Sequence, residues 1–230
     1  MSINDKADTL RQNLEALPEV LMLGEIELAD HLIKYISLEI RSTGKVAVYQ
    51  LDIANARGLY EFYTEGLSEK PRRLFAPYPL FHRPPRSFDE LAERVSKWKR
   101  EDDWTALLMI KDERVIGFGL LKRFSTEQVT SGIAVRDEFL NKKLGYILQR
   151  MIVEQARLLG LERFHVKVVS DNLASILLHK KCGFRQTELL PANLYSDMFK
   201  FLRDCDRKNG KKEVQRQLVK MVIDLNETQP

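Results

Sequence analysis

The stretch richest in chemistry is Ser131-Gly-Ile-Ala-Val135-Arg-Asp-Glu-Phe-Leu140-Asn-Lys-Lys-Leu-Gly145-Tyr-Ile-Leu148. An apolar strand pattern runs into a short polar loop, and a long amphipathic helix opens at a glycine. The first turn of a helix has backbone N–H groups with no partner inside the helix, and the helix dipole puts positive charge at the same end. A pyrophosphate is the natural guest of such a site. Gly117-Phe-Gly119 also suggests a dinucleotide loop, but it sits inside a strand pattern and leads into Leu120-Leu-Lys-Arg123, not a helix start. It is read as structural. His31, His82, His165 and His179 do not combine with Cys182 and Cys205 at metal-ligand spacing, so no metal is expected. Ser125 and Ser131 lack the context of a catalytic nucleophile. Cys182 and the pair Trp98 and Trp104 are read as packing residues.

The elements that must position this loop follow from periodicity. Leu10, Leu14, Leu17 and Leu21, then Ile26, Ala29, Leu32, Ile33, Ile36 and Ile40, recur at helical spacing. Residues 5–43 are therefore expected to be helical, closed by Gly44, and set apart as an N-terminal helical extension over residues 1–44. Val46 and Val48 begin a strand, and Ala54–Leu67 reads as a helix. Residues 68–86 hold five prolines and form an aromatic, basic loop. Ser87-Phe-Asp-Glu90 is a capping box opening another helix. Strands are expected over Trp104–Ile110, Val115–Phe124 and Val129–Val135. A helix over 144–159, a strand over 163–170 and a helix over 173–181 follow. Further strands are expected over 184–188 and 214–225, around a polar, helical insert at 193–208. Antiparallel strands followed by β-α-β-α-β predict an α/β (α+β) fold for residues 45–230, a mixed, mostly antiparallel sheet flanked by helices.

Composition excludes several classes. The chain has 230 residues, 44% hydrophobic and 30% charged, with a net charge of +4. No apolar run approaches the ~18 residues that span a bilayer. The first ten residues lack a secretory pattern, and two cysteines make no disulfide framework, so a cytoplasmic location is expected. Basic residues concentrate in 70–100 and 200–220. No nucleic-acid-binding motif accompanies them, and they are read as solvated surface.

Over residues 45–225, and most sharply over 129–184, the sequence resembles the GNAT superfamily of acetyl-CoA-dependent N-acyltransferases. Gly132-Ile-Ala-Val135 resembles the family's central strand. Leu140–Gly145 lies where the family carries its pyrophosphate loop, normally Arg/Gln-x-x-Gly-x-Gly/Ala. Ser170-Asp-Asn172-Leu-Ala-Ser175, with Leu178-His-Lys-Lys-Cys-Gly183-Phe184, resembles its second motif. The resemblance implies acetyl-CoA as cofactor, held by Ile133, Ala134, Val135, Leu140, Asn141, Lys142, Lys143, Leu144, Gly145, Tyr146, Asn172, Ser175 and Lys180. It also implies direct attack of a small-molecule or peptide amine on the thioester, with a backbone N–H near Val135 meeting the oxyanion. His179 stands where the family usually has a tyrosine that protonates the departing thiolate, a task open to imidazole near neutral pH. A packing role is its alternative. The family's frequent central-strand glutamate is replaced near Thr130, leaving as alternatives Glu127 or Glu61 as substitute bases, another carboxylate, or an amine that arrives already deprotonated. Tyr78, Phe81 and His82 are expected to line the acceptor site. Only Gly145 survives of the loop's pattern. Lys143 either crowds the phosphate or, with Lys142, supplies cations to it, and the second reading is favoured. A non-catalytic acyl-CoA-binding module is the alternative function. The N-terminal extension could dock on the sheet, cover the acceptor site or form a homodimer interface.

Overall fold

Among the described residues nine strands form one sheet, some alternating apolar with polar positions and others continuously apolar. The computed structural model describes residues 2–69, 71, 85–100, 103–126, 128–191, 200, 203–204, 206–208 and 216–226. Helix α1 (Ile3–Glu15) precedes strands β1 (Val20–Ala29), β2 (Leu32–Ile40) and β3 (Gly44–Gln50). Helices α2 (Ala56–Glu65) and α3 (Phe88–Arg100) follow, then β4 (Trp104–Lys111), β5 (Arg114–Lys122) and β6 (Thr130–Val135). Helix α4 (Leu144–Leu158), β7 (Arg163–Val169), α5 (Leu173–Lys181), β8 (Arg185–Leu190) and β9 (Leu218–Asp224) complete the order. The strands lie in the order β1-β2-β3-β4-β5-β6-β7-β9-β8. The β6–β7 pairing is parallel, and every other neighbour is antiparallel. The mixed sheet with flanking helices is the architecture expected.

The N-terminal stretch is a correction. α1 is a helix, with Ser2 as its capping residue, but residues 20–40 form two strands and not a second helix. Ile36, Leu38 and Ile40 are buried in strict alternation. The register then slips between Glu27↔Tyr35 and Leu28↔Ile33, a bulge that also buries Ile33, three residues before Ile36. An extra residue in a strand imitates the i, i+3 step of a helix, which is why the periodicity misled. The turn between them places Asp30 at φ 52 and His31 at φ 62, the left-handed pair of a tight hairpin.

Two cores sandwich the sheet. One joins α1, β1 and β2 to α4 through Leu10, Leu14, Ile33, Ile36, Ile147 and Met151. The other joins α2 and α3 to β4 and β5 through Leu59, Phe62, Leu91, Leu108 and Phe118. The N-terminal strands are therefore packed into the sheet. Gln155, buried on α4, donates to the His31 carbonyl (2.9 Å) and accepts from the Ile33 N–H (2.8 Å). Buried Glu154 accepts from Asn13 (2.8 Å) and pairs with Arg157 (2.5 Å). No described helix is long and apolar enough to cross a membrane.

Candidate active site

β6 pairs with β5 along its whole length, without a register shift, but with β7 at one position only, Thr130↔His165. Beyond that bridge the two strands part. The hydrogen bonds at its ends orient β6. The His165 N–H donates to the Val129 carbonyl (3.0 Å), on the β7 side. The Arg136 N–H donates to the Ile116 carbonyl (2.9 Å), on the β5 side. Backbone groups alternate sides along a strand, so Ser131, Ile133 and Val135 turn their N–H and C=O groups into the fork. All six β6 residues are half-buried. An open strand edge of this kind offers hydrogen bonds to an extended ligand.

The fork leads to the start of α4. Lys143 is the N-cap, and no side chain caps the helix. The Lys143 carbonyl takes the N–H groups of Tyr146 (3.0 Å) and Ile147 (3.2 Å), which leaves those of Leu144 and Gly145 facing outward at the positive end of the dipole. Asn141 and Lys143 both adopt φ 63. That is the left-handed region glycine enters freely, at roughly 1 kcal/mol for a residue with a side chain. The loop thus keeps a glycine-like backbone without the family's first glycine. Lys143 and Leu140 are exposed, and Lys142 lies over the Phe139 ring (4.7 Å).

Gly145 lets three elements converge. A Cβ there would lie 3.1 Å from Leu178 Cδ1 and 3.6 Å from both Ile133 Cδ1 and Val135 Cγ2. Ala134 faces the other side of the sheet, against the α2–α3 core. Asn172 caps α5 by accepting from the Ser175 N–H (3.2 Å), and Lys180 is exposed in its last turn. The N-terminal strands reach this site too. Ser42, in the β2–β3 turn, donates to the Lys142 carbonyl (2.7 Å), and Glu19 pairs with Lys181 (2.9 Å), whose ammonium lies 3.9 Å from the Tyr146 ring centre. At the end of β6, Asp137 accepts from the Ser68 N–H (2.8 Å) and its own N–H donates to the Gly66 carbonyl (2.9 Å), pinning the root of the 68–86 loop beside Val135.

Two predicted site residues take other roles. Tyr146 is buried, and its N–H is taken by the Lys143 carbonyl. His179 is 4% exposed, edge-to-face on Phe184, with Nδ1–H donating to the Ser175 carbonyl (2.7 Å). Its Nε2 is buried with no hydrogen-bond partner. Burial pushes its pKa down to about 4. A neutral imidazole with its proton committed to a carbonyl has none for a thiolate, so the geometry gives His179 the packing role. Glu61 is exposed on α2. Glu127, Tyr78, Phe81 and His82 lie outside the described residues. Among the described residues no cluster of His, Cys, Asp and Glu gathers as for a metal.

The burial of His179 sets a pH dependence. Its folded pKa lies below the unfolded value near 6.5, so the unfolded chain binds more protons between about pH 4 and 6.5. Stability from this group is present above that window and falls as pH falls through it. Urea unfolding at pH 7 and pH 4.5 should show His179→Leu losing about 2 kcal/mol less on acidification than the parent chain.

The chain matches the Acetyltransferase (GNAT) family over residues 68–184. It belongs to that family. The match spans the fork, the α4 loop and the α5 motif. The outward N–H groups at the start of α4 are of the kind a pyrophosphate requires. The fold is shared with the spermidine N-acetyltransferase of Vibrio cholerae, solved with CoA and spermine, at 16% identity and TM-score 0.59 over 78% of this chain and 95% of that one. It is also shared with the yncA protein of Salmonella typhimurium, solved with acetyl-CoA, at 18% identity and TM-score 0.57 over 80% and 95%. An N-acetyltransferase of Staphylococcus aureus Mu50 aligns at 15% identity and TM-score 0.57 over 79% and 99%. No curated protein matches the sequence.

Proposed function

We propose that this GNAT protein transfers the acetyl group of acetyl-CoA to a primary amine of a small molecule or peptide. The fork between β6 and β7, opening onto the uncapped start of α4, carries the reading. The pyrophosphate is held by the Leu144 and Gly145 N–H groups with Lys142 and Lys143, and the pantetheine arm lies along Ile133 and Val135. The amine attacks the thioester carbonyl carbon, and the oxyanion is met by cleft-facing N–H groups of β6. The C–S bond then breaks, the thiolate takes a proton and the amine loses one.

His179 is no proton source here. His165, at the fork's apex, has its pKa lowered to about 4 by burial and neighbouring cations, too weak a base to deprotonate an ammonium. Solvent, Glu127 or Glu61 carries the protons. A second reading, an acyl-CoA-binding module without transfer, draws on the same burial of His179. Calorimetry with acetyl-CoA, followed by thiol release over an amine panel, separates the two. Acetyl-CoA binding with turnover of at least one amine supports the transferase. Binding without turnover supports the module, and no binding at millimolar acetyl-CoA sinks both.

A further inference from the structure

The loop that opens α4 stands in a conformation its residues resist. Asn141 and Lys143 are both at φ 63, on either side of Lys142. Glycine takes that conformation freely, and lysine does not. Backbone strain of this kind persists only where the surroundings hold it. Here the hold comes from 100 positions earlier in the chain, where the Ser42 hydroxyl donates to the Lys142 carbonyl at 2.7 Å. That commits its single proton, so the 3.2 Å contact between the Ser42 and Thr43 hydroxyls has Thr43 as its donor.

Ser42 stands at the tip of the tight β2–β3 hairpin. The Thr43 N–H closes on the Ile40 carbonyl (3.0 Å), Ile40 pairs with Gly44, and Gly44 turns the chain at φ 79. The Arg41 N–H ties the tip to the Glu19 carbonyl (2.9 Å), and the Glu19 carboxylate pairs with Lys181 at the end of α5. The tip is therefore a fixed point against which the loop is held. It lies outside the 68–184 segment that matches the family.

A peptide unit is planar and trans, so its C=O and N–H point in opposite directions. Fixing the Lys142 carbonyl on Ser42 turns the Lys143 N–H away from the hairpin. A left-handed Lys143 followed by helical Leu144 then brings three successive N–H groups, of Lys143, Leu144 and Gly145, round to one side. We propose that Ser42 is a positioning residue for acetyl-CoA, holding the Lys142 peptide so that these N–H groups converge on the pyrophosphate. A glycine at 143 would make that brace unnecessary. The inference rests on the acetyl-transfer reading and adds to its cofactor site a residue from the N-terminal strands.

The test is a double-mutant cycle read by calorimetry with acetyl-CoA: the parent chain, Ser42→Ala, Lys143→Gly and the two combined. Ser42→Ala should raise the Kd about fivefold, the scale of one exposed neutral hydrogen bond. With glycine at 143 the same substitution should change the Kd by less than about twofold, because glycine keeps the conformation unaided. A turn that served only the stability of the sheet would lower the thermal midpoint instead, and its effect on Kd would be the same in both backgrounds. The readout needs no acceptor amine.

Ser42→Ala binding acetyl-CoA like the parent, or an equal loss with lysine and with glycine at 143, would overturn the proposal while leaving the cofactor site in place. Failure of the parent chain itself to bind acetyl-CoA is a separate result. It counts against the transferase reading, and the positioning role falls with it.

Discussion

Gly145→Glu is expected to abolish useful acetyl-CoA binding, raising its Kd by about 100-fold or more, while leaving the fold intact. The substitution puts a carboxylate on the first turn of α4, where the Leu144 and Gly145 N–H groups and the helix dipole favour negative charge. The protein would thus supply its own anion to the phosphate site. The new Cβ meets the far end of Leu178, 3.1 Å away, and that side chain can yield by a few tenths of an ångström. Charge at a helix N-terminus is mildly stabilising, by up to about 1 kcal/mol, which offsets the crowding. Calorimetry with acetyl-CoA and a thermal melt of the same sample make the comparison. A variant that binds acetyl-CoA like the parent would remove the start of α4 from the cofactor site.

Arg216→Ala should cost about 3 kcal/mol or more of folding stability, read as a lower urea midpoint. The guanidinium is buried, its side chain 6% exposed, with Nε donating to Asp171 and a terminal nitrogen to Asp206, both at 2.6 Å. Removing it strips a charge-assisted partner from a carboxylate that is itself 10% exposed. The triad joins the residues entering β9 to the Ser170–Asn172 turn, where Ser170 and Gln217 exchange two further hydrogen bonds of 2.9 and 3.2 Å. Asn172 caps α5, so the loss should also loosen the wall of the cofactor cleft. Pairing Arg216→Met with Asp206→Leu removes both charges and should cost less than Arg216→Ala alone. Equal losses in the two variants would show that the ion triad contributes no more than its packing volume.

Most of the catalytic half was legible from the sequence because its periodicities are strong and uninterrupted. The helices over 144–158 and 173–181, the strands over 104–122, 130–135 and 163–169, and the sharp loop ending at Gly145 are local patterns that the tertiary structure leaves in place. The N-terminal strands were not legible, since one bulged residue turned a two-residue repeat into a three-residue step. Glu154 and Gln155 were hidden for a related reason. Both are polar, yet they are buried because α1 brings Asn13 to Glu154 and the β1–β2 hairpin brings the His31 carbonyl and the Ile33 N–H to Gln155.

By itself the sequence determined that a strand ends in a short polar loop that opens a long amphipathic helix at Gly145. That much follows from residue order alone. Only the tertiary structure decided how the neighbouring strand runs. Pairing at Thr130↔His165 and nowhere beyond it leaves the backbone of β6 an open edge, and the parting of strands whose paired residues lie 35 positions apart has no local signal. The same structure decided the state of His179. Its spacing in the motif suits a proton donor, but burial keeps the ring neutral and its Nδ1–H is committed to the Ser175 carbonyl.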